Sequence, residues 1–417
     1  MIVPDKPVSD LNCRFCGREL RDTFVNLGLS PLCQTHVEPS QLGEPETYYP
    51  LHAYVCRGCF LVQLQQFVAP SEIFTEYAYF SSYADSWVEH ARAYCEHMRA
   101  QFGIGRGSRV VEIASNDGYL LQHFLPHGIT VLGVEPAANV AAAAQAKGIP
   151  TTVRFFGTDT ARELATEFGK ADLLLGNNVL AHVPDLNDFV AGMKILLAPQ
   201  GFITMEFPHL LELMQHNQFD TIYHEHFSYF SFTTAQQVFA RHGLTLFDVE
   251  RLSTHGGSLR IYGCHGEAPR PLTARAQELL HLETKFGLKS LTTYAAFGEQ
   301  VRETKRALLE FLIGVKRTGK RIVGYGAPGK GNTLLNYCGV GTDFLDFTVD
   351  RNPYKQGKFT PGMRLPILAP EALVAARPDY ILILPWNLKD EIVKTVGAMS
   401  GVSAQFVVPI PRVAIVS

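Results

Sequence analysis

Two Cys-x-x-Cys pairs constrain the amino-terminal part of this chain more tightly than any other feature: Cys13 with Cys16 in "CRFC", and Cys56 with Cys59 in "CRGC". Two-residue spacing lets both thiolates of a pair face one tetrahedral ion, and two such pairs fill all four positions of a zinc site. Gly17 and Gly58 stand in or beside these knuckles and are expected to supply their tight turns. The surrounding segment, residues 1–72, is rich in Pro and polar residues and has no long helical period, which is the texture of a small module that needs a staple. It reads as a small zinc-binding module with Cys13, Cys16, Cys56 and Cys59 as ligands. Sulfur at every position leaves no open coordination site, so the ion should stabilise the fold rather than do chemistry. Cys33, Cys95, Cys264 and Cys338 show no ligand spacing and read as small buried residues.

At 417 residues the chain is too long for one ordinary core and should form two or three domains. With 46% hydrophobic and 18% charged residues it can bury a sizeable core. The net charge of -3, with Lys and Arg scattered, gives no electrostatic footprint for nucleic acid. No apolar run approaches the ~18 residues of a membrane span, and "MIVPDKPVSD" lacks a basic region followed by an apolar one. A cytoplasmic protein without membrane partners is expected. Its oligomeric state is open, a monomer being compatible with all of this.

From "SEIFTEYAYFSSYADSWVEHARAYCEHMRAQFG" the pattern turns helical, and "SRVVEIASNDGYLLQHFLPHGITVLGVEPAANVAAAAQAKGIP" then alternates apolar strands with helices. That is βαβ texture and argues a parallel sheet, extended by "ADLLLGNN", "GFITMEFP" and "LTLFDVERL". The predicted core runs over 73–267. A charged helical stretch then leads into a second α/β domain over 268–417, with strands at "RIVGYGA", "DFTVD" and "YILILPW". The fold class is therefore α/β.

"RVVEIASNDGYLL" reads as a strand ending in Glu112, a small-residue loop through Ser115, Asn116, Asp117 and Gly118, and then a helix. Such a loop presents backbone N–H groups at the carboxyl end of a strand, where open α/β sheets bind ligands. Glu135, at the end of the next strand, can accept ribose hydroxyls, and the absence of G-x-G-x-x-G suits an adenosine-containing ligand without a pyrophosphate. Asn177, Asn178 and His182 close the following strand, either as ligand contacts or as helix caps.

"TIYHEHFSYFS" packs Tyr223, His224, Glu225 and His226 together and admits three readings: a metal site, an acid/base centre, or a buried polar strand. HEH lacks the spacing of HExxH, so its histidines would not share a helical face and metal is disfavoured. In an extended strand Tyr223 and Glu225 would lie on one face and His224 and His226 on the other. Convergence of Glu225 and His226 on one atom therefore requires a turn or bulge. Downstream, "RIVGYGAPGKGNTLLNY" is a second strand, Gly-rich loop and helix, with Gly326, Lys330 and Asn332, and "VDRNPYKQGKFTPG" adds Arg351, Asn352 and Lys355.

In combination, "EIASNDGYLL", "VEP", "NNVLAHVPDLNDF" and "YHEHFSYFS", behind two knuckles and ahead of "GYGAPGKGNTLLNY", closely resemble the S-adenosylmethionine-dependent sugar C-methyltransferases of antibiotic deoxysugar pathways. The resemblance spans nearly the whole chain. It implies a zinc-binding module, a central Rossmann-like methyltransferase domain and a C-terminal α/β domain that helps hold a nucleotide-linked sugar. It further implies methylation at C3 of a dTDP-linked 4-keto-deoxysugar, such as the 3-amino precursor of tetronitrose, or at C5 as in other members. The donor, S-adenosyl-L-methionine, would meet Tyr77, Glu112, Ser115, Asn116, Asp117, Gly118, Glu135, Asn177 and Asn178. The catalytic set would be His226 as base, Glu225 as its electrostatic or orienting partner, Tyr223 and His182 as donors to the sugar carbonyl, and Tyr77 as an active-site phenol. Sugar-nucleotide contacts would come from Tyr79, Tyr223, His182, Gly326, Lys330, Asn332, Arg351, Asn352 and Lys355. A zinc-bearing RNA or protein methyltransferase and an NAD-dependent nucleotide-sugar enzyme are the competing readings.

Overall fold

The computed structural model describes residues 11–69 and 80–416, so Tyr77 and Tyr79 lie outside the described residues. The chain forms two compact units that do not follow its linear order. The first comprises 1–20, 56–209 and 227–289, and the second 21–55, 210–226 and 290–417.

The second unit begins with an antiparallel hairpin of β1 (Asp22–Ser30) and β2 (Tyr49–Val55). The first unit opens with the short β3 (Val62–Leu64) and then α1 (Asp85–Phe102). Helix α1 buries Ala91, Tyr94, Cys95 and Met98, an apolar stripe at helical spacing, and stops at Gly103, whose left-handed φ of 68° forms the C-terminal cap. Its sheet contains β4 (Arg109–Ile113), β5 (Thr130–Val134), β6 (Thr151–Thr152), β7 (Ala171–Asn177), β8 (Leu197–Pro208), β10 (Leu244–Leu252) and β11 (Ser258–His265). A further short strand, β9 (Ser228–Tyr229), pairs with β3.

The seven strands run in the order β10-β11-β8-β7-β4-β5-β6. β4 to β8 pair in parallel, whereas β11 is antiparallel to both β8 and β10. This is a Rossmann-like arrangement, and it brings the carboxyl ends of β4, β5 and β7 to one edge. The apolar runs of β4 and β7 follow from burial on both faces: Val110, Val111, Leu173 and Leu174 are fully buried.

The charged helical stretch after β11 divides where the units divide. α2 (Ala274–Phe286) belongs to the first unit and α3 (Leu291–Arg317) to the second, with Gly287 at φ 98° ending the former. In α3, Tyr294, Phe297, Val301, Leu308 and Leu312 form the buried stripe. Phe297 stacks on Phe24 of β1 at 4.6 Å, a contact worth about 0.5–1.5 kcal/mol beyond the area it buries. The second sheet then forms from β12 (Ile322–Tyr325), β13 (Thr348–Val349), β14 (Ile367–Leu368), β15 (Tyr380–Ile383), β16 (Gln405–Val408) and β17 (Ala414–Val416). Its order is β14-β13-β12-β15-β16-β17, parallel except for the last strand. Helix α4 (Gly329–Cys338) follows the Gly-rich loop after β12.

Candidate active site

The four knuckle thiolates, Cys13, Cys16, Cys56 and Cys59, converge with all Sγ atoms within 4.8 Å of one another. Tetrahedral bonds of ~2.3 Å place sulfurs somewhat under 4 Å apart, so this donor set fits a zinc ion. The two knuckles share one backbone design: Gly17 N–H donates to the Cys13 carbonyl and Phe60 N–H to the Cys56 carbonyl, both at 2.8 Å. The left-handed residues at these matching positions are Gly17 (φ 72°) and Phe60 (φ 60°). Gly58 therefore does not supply the turn as expected. It lies beneath the Arg18 side chain, whose Nε would stand 2.9 Å from a Cβ there and would have to shift. The module is tied to the methyltransferase core by the buried Arg14, whose guanidinium donates to the Pro184 and Leu64 carbonyls, and by Asn187, which donates to the Arg14 and Phe15 carbonyls.

The loop after β4 is held open by left-handed residues, with Ala114 at φ 56°, Asn116 at 51° and Gly118 at 76°. Gly118 is required twice over, by its φ and because a Cβ would meet Ile149 Cδ1 at 2.2 Å. Glu135 anchors the loop by accepting from Asn116 N and Ala137 N, each at 2.9 Å. Burial nevertheless raises its pKa. Asp117 receives Lys147 Nζ at 2.9 Å and the Ser82 hydroxyl, while Ser81 N–H donates to Asn116 Oδ1 at 2.8 Å.

Within this frame several buried acceptors find no hydrogen-bond partner among the described residues: both oxygens of Glu112, Ser115 Oγ, Asp117 Oδ1 and Asn178 Oδ1. Burial first, then the charges of Glu135 and Asp117, hold the Glu112 carboxyl well above the usual range. A set dominated by acceptors at the carboxyl ends of β4 and β7 fits a ligand that brings hydroxyls and positive charge, as S-adenosylmethionine does. Asn177 donates to the Tyr119 hydroxyl at 3.3 Å. His182, on a 3-10 turn after β7, has its pKa lowered to about 4 by burial and is a neutral imidazole at physiological pH.

The stretch 223–226 is not a strand. His226 N–H donates to the Tyr223 carbonyl at 2.9 Å, closing a tight turn that supplies the required departure from alternation. The stretch also straddles the two units, with Tyr223 to His226 in the second and Phe227 onward in the first. His226 Nδ1 lies 2.9 Å from the Thr221 carbonyl. A carbonyl can only accept, so Nδ1 carries the proton and the ring lone pair resides on Nε2. The His226 ring packs against Tyr223 with centroids 4.1 Å apart and planes tilted by 34°. Glu225 is 4% exposed, and burial pushes its carboxyl up to about 7. Its hydrogen-bond partner is the Cys33 thiol at 3.8 Å, so His226 is oriented by Thr221 rather than by Glu225. His224 faces structure instead, with Nε2 3.2 Å from the Pro50 carbonyl and its ring edge-on to Tyr49.

The Gly-rich loop after β12 is occupied by the protein's own groups. Asp350 accepts Ala327 N and Asn352 N, both at 2.8 Å, and Lys355 Nζ donates to the Ala327 carbonyl at 3.0 Å. Gly326 lies against Pro385, which a Cβ would approach to 2.5 Å. Lys330 reaches Asn387 Oδ1 at 2.8 Å over the Trp386 ring, Asn332 donates to the Cys33 carbonyl at 2.7 Å, and Arg351 pairs with Glu391 at 3.0 Å. Trp386 donates to the fully buried Asp220, whose carboxyl burial pushes up to about 6.

Residues 13–74 match the family model of a zinc binding domain, 87–249 that of a methyltransferase domain and 253–411 that of a C-methyltransferase C-terminal domain. The C-methyltransferase NovU of Streptomyces niveus is 36% identical over 412 residues, covering 99% of this chain and 98% of NovU. This chain belongs to that C-methyltransferase family. A ubiquinone biosynthesis O-methyltransferase of Bartonella tribocorum is 30% identical over 96 residues, covering 23% of this chain and 39% of that protein. Among solved structures, magnesium protoporphyrin IX methyltransferase from Synechocystis with bound S-adenosylmethionine overlaps 43% of this chain and 79% of its own, at 13% identity and a TM-score of 0.33.

The protein is thus an S-adenosylmethionine-dependent C-methyltransferase with a structural zinc centre, and among the described residues no helix is long and apolar enough to cross a membrane. Sequence reasoning missed Cys33, Asp220, Trp386, Ser81 and Lys147, each of which holds a functional segment in place. Only Cys33 was singled out, and the absence of ligand spacing concealed its partner.

Proposed function

We propose that this C-methyltransferase acts on C3 of a dTDP-linked 4-keto-deoxysugar, removing the proton beside the ketone and methylating the resulting enolate. The observation that carries this reading is the turn at 223–226. It combines a histidine with a fixed tautomer and a carboxyl titrating near neutrality, which is what abstraction of a weakly acidic C–H proton needs. His226 Nε2 takes the proton. The Glu225 carboxylate stabilises the imidazolium that forms, and Tyr223 with neutral His182 donates to the developing enolate oxygen. Glu112, Ser115, Asn116, Asp117, Gly118, Glu135, Asn177 and Asn178 cradle the donor, which supplies the methyl group when bound.

Gly326, Lys330, Asn332, Arg351, Asn352 and Lys355 are proposed to contact the nucleotide diphosphate or the sugar. Tyr77 and Tyr79 are assigned to the donor and sugar sides of the site on the resemblance alone. The reaction is proposed to take place in the cytoplasm.

Incubation with methyl-labelled donor and a panel of dTDP-4-keto-deoxyhexoses bearing 3-amino or 3-hydroxyl groups should give a single added methyl on carbon. Its position at C3 is read by NMR. A methyl at C5 would move the site of reaction, and donor binding without turnover of any panel member would overturn the substrate class.

A further inference from the structure

The Glu225 carboxyl has one hydrogen-bond partner among the described residues, the Cys33 thiol at 3.8 Å, and both residues are buried. Cys33 is held from behind by the start of α4. Its carbonyl accepts Asn332 Nδ2 at 2.7 Å, and its Sγ packs so closely on Gly329 that a Cβ there would come within 2.9 Å of it. The thiol cannot swing away from Glu225 without disturbing this seat. We propose that Cys33 is a positioning residue for the Glu225 carboxyl, and that the first turn of α4 in the Gly-rich segment acts through it to orient the proton-transfer turn. This rests on the role assigned to Glu225 above.

The chemistry is that of a weak donor. An S–H directed at a carboxylate oxygen favours the ionised form, against the burial that favours the neutral one. Removing the thiol should therefore make Glu225 harder to ionise. The titratable group in contact with the carboxyl is Cys33, on whose thiol the charge of Lys355 acts, and Tyr223, His224 and His226 share its turn.

The test follows solvent-deuterium incorporation beside the ketone of dTDP-4-keto-6-deoxyglucose as a function of pH, for Cys33→Ala, Cys33→Ser and Glu225→Gln in the full chain. Cys33→Ala should shift the acid limb upward and lower the rate at neutral pH about three- to tenfold, with recovery at high pH. Cys33→Ser, which keeps a donor, should return the limb towards wild type. Calorimetric affinity for S-adenosylmethionine should be unchanged throughout. A Cys33→Ala limb identical to wild type would overturn the proposal, as would a pH-independent loss that Ser does not rescue. Glu225→Gln separates the two levels: if it leaves the limb in place, the role of Glu225 fails and the proposal with it. If it abolishes the limb while Cys33→Ala does not move it, only the role of Cys33 fails.

Discussion

The chain follows a strand with a small-residue loop twice and puts the two to different use: after β4 the expected helix is replaced by two 3-10 turns, Leu121–His123 and Leu125–His127, whereas after β12 the helix α4 forms. After β4, left-handed residues hold the loop open, and buried acceptors on Glu112, Ser115, Asp117 and Asn178 find no protein partner among the described residues. After β12, Asp350 and Lys355 take up the loop's own backbone groups, and Lys330 is turned onto Asn387 and Trp386. A buried polar group left without a partner costs about 1–3 kcal/mol, so the first loop is built to be completed by a ligand, whereas at the second most polar groups are already paired and Asn332 Oδ1 is left over. Local motif alone does not separate the two; hydrogen-bond accounting does.

The largest effect expected is on the first unit as a whole, since all four thiolates belong to it. Structural zinc contributes on the order of 10 kcal/mol of coupled folding energy. A strong chelator should therefore lower Tm and strip hydrogen-exchange protection from β3 and β4 before it strips β12 and β15. Selective loss of methyl transfer with the fold intact would make the zinc catalytic instead.

Next in size are the donor-side carboxylates. Glu135→Ala removes the acceptor of two backbone N–H groups as well as the proposed ribose contact, and should weaken donor binding more than about 100-fold by calorimetry. Glu112 gives the pH dependence. Burial, then the charges of Glu135 and Asp117, raise the pKa of its carboxyl in the free protein, and a cationic ligand favours the ionised form, so donor binding should release protons and tighten as pH rises. Calorimetry in buffers of different ionisation enthalpy reads this directly, and Glu112→Gln should abolish it.

Smaller still is the contrast between glycines. Gly118→Ala meets both a left-handed φ and Ile149, and should impair donor binding. Gly329→Ala meets the side chains of Cys33 and Gln34 and should leave donor binding intact. Smallest is Lys330→Met, expected to change donor affinity by less than about threefold, because its ammonium serves Asn387 and Trp386. Saturable binding of NAD at the second loop would erase the distinction between the two.

What the sequence revealed follows the range of each interaction. The knuckles were legible because two-residue spacing is itself the chelate geometry, and the donor loop because strand, loop and acid stand close in sequence. For 223–226 the alternation argument yielded a demand for a turn, and the Tyr223–His226 hydrogen bond meets it. The partners of that turn were hidden. Cys33 and Glu225 are 192 positions apart, and Trp386 and Asp220 are 166 apart, and only the interleaving of two units brings each pair together. The charged helical stretch was legible as helical, but its division at the left-handed Gly287, near where the units change, was not.

The central claim is that His226 removes the proton beside the sugar ketone. Deuterium exchange at that carbon can be followed with S-adenosylhomocysteine filling the donor site, so that no methyl transfer intervenes. Wild type should incorporate deuterium. His226→Asn should slow the exchange by about 10² to 10⁴-fold while still binding the dTDP-sugar. Exchange at the wild-type rate in His226→Asn would contradict the account.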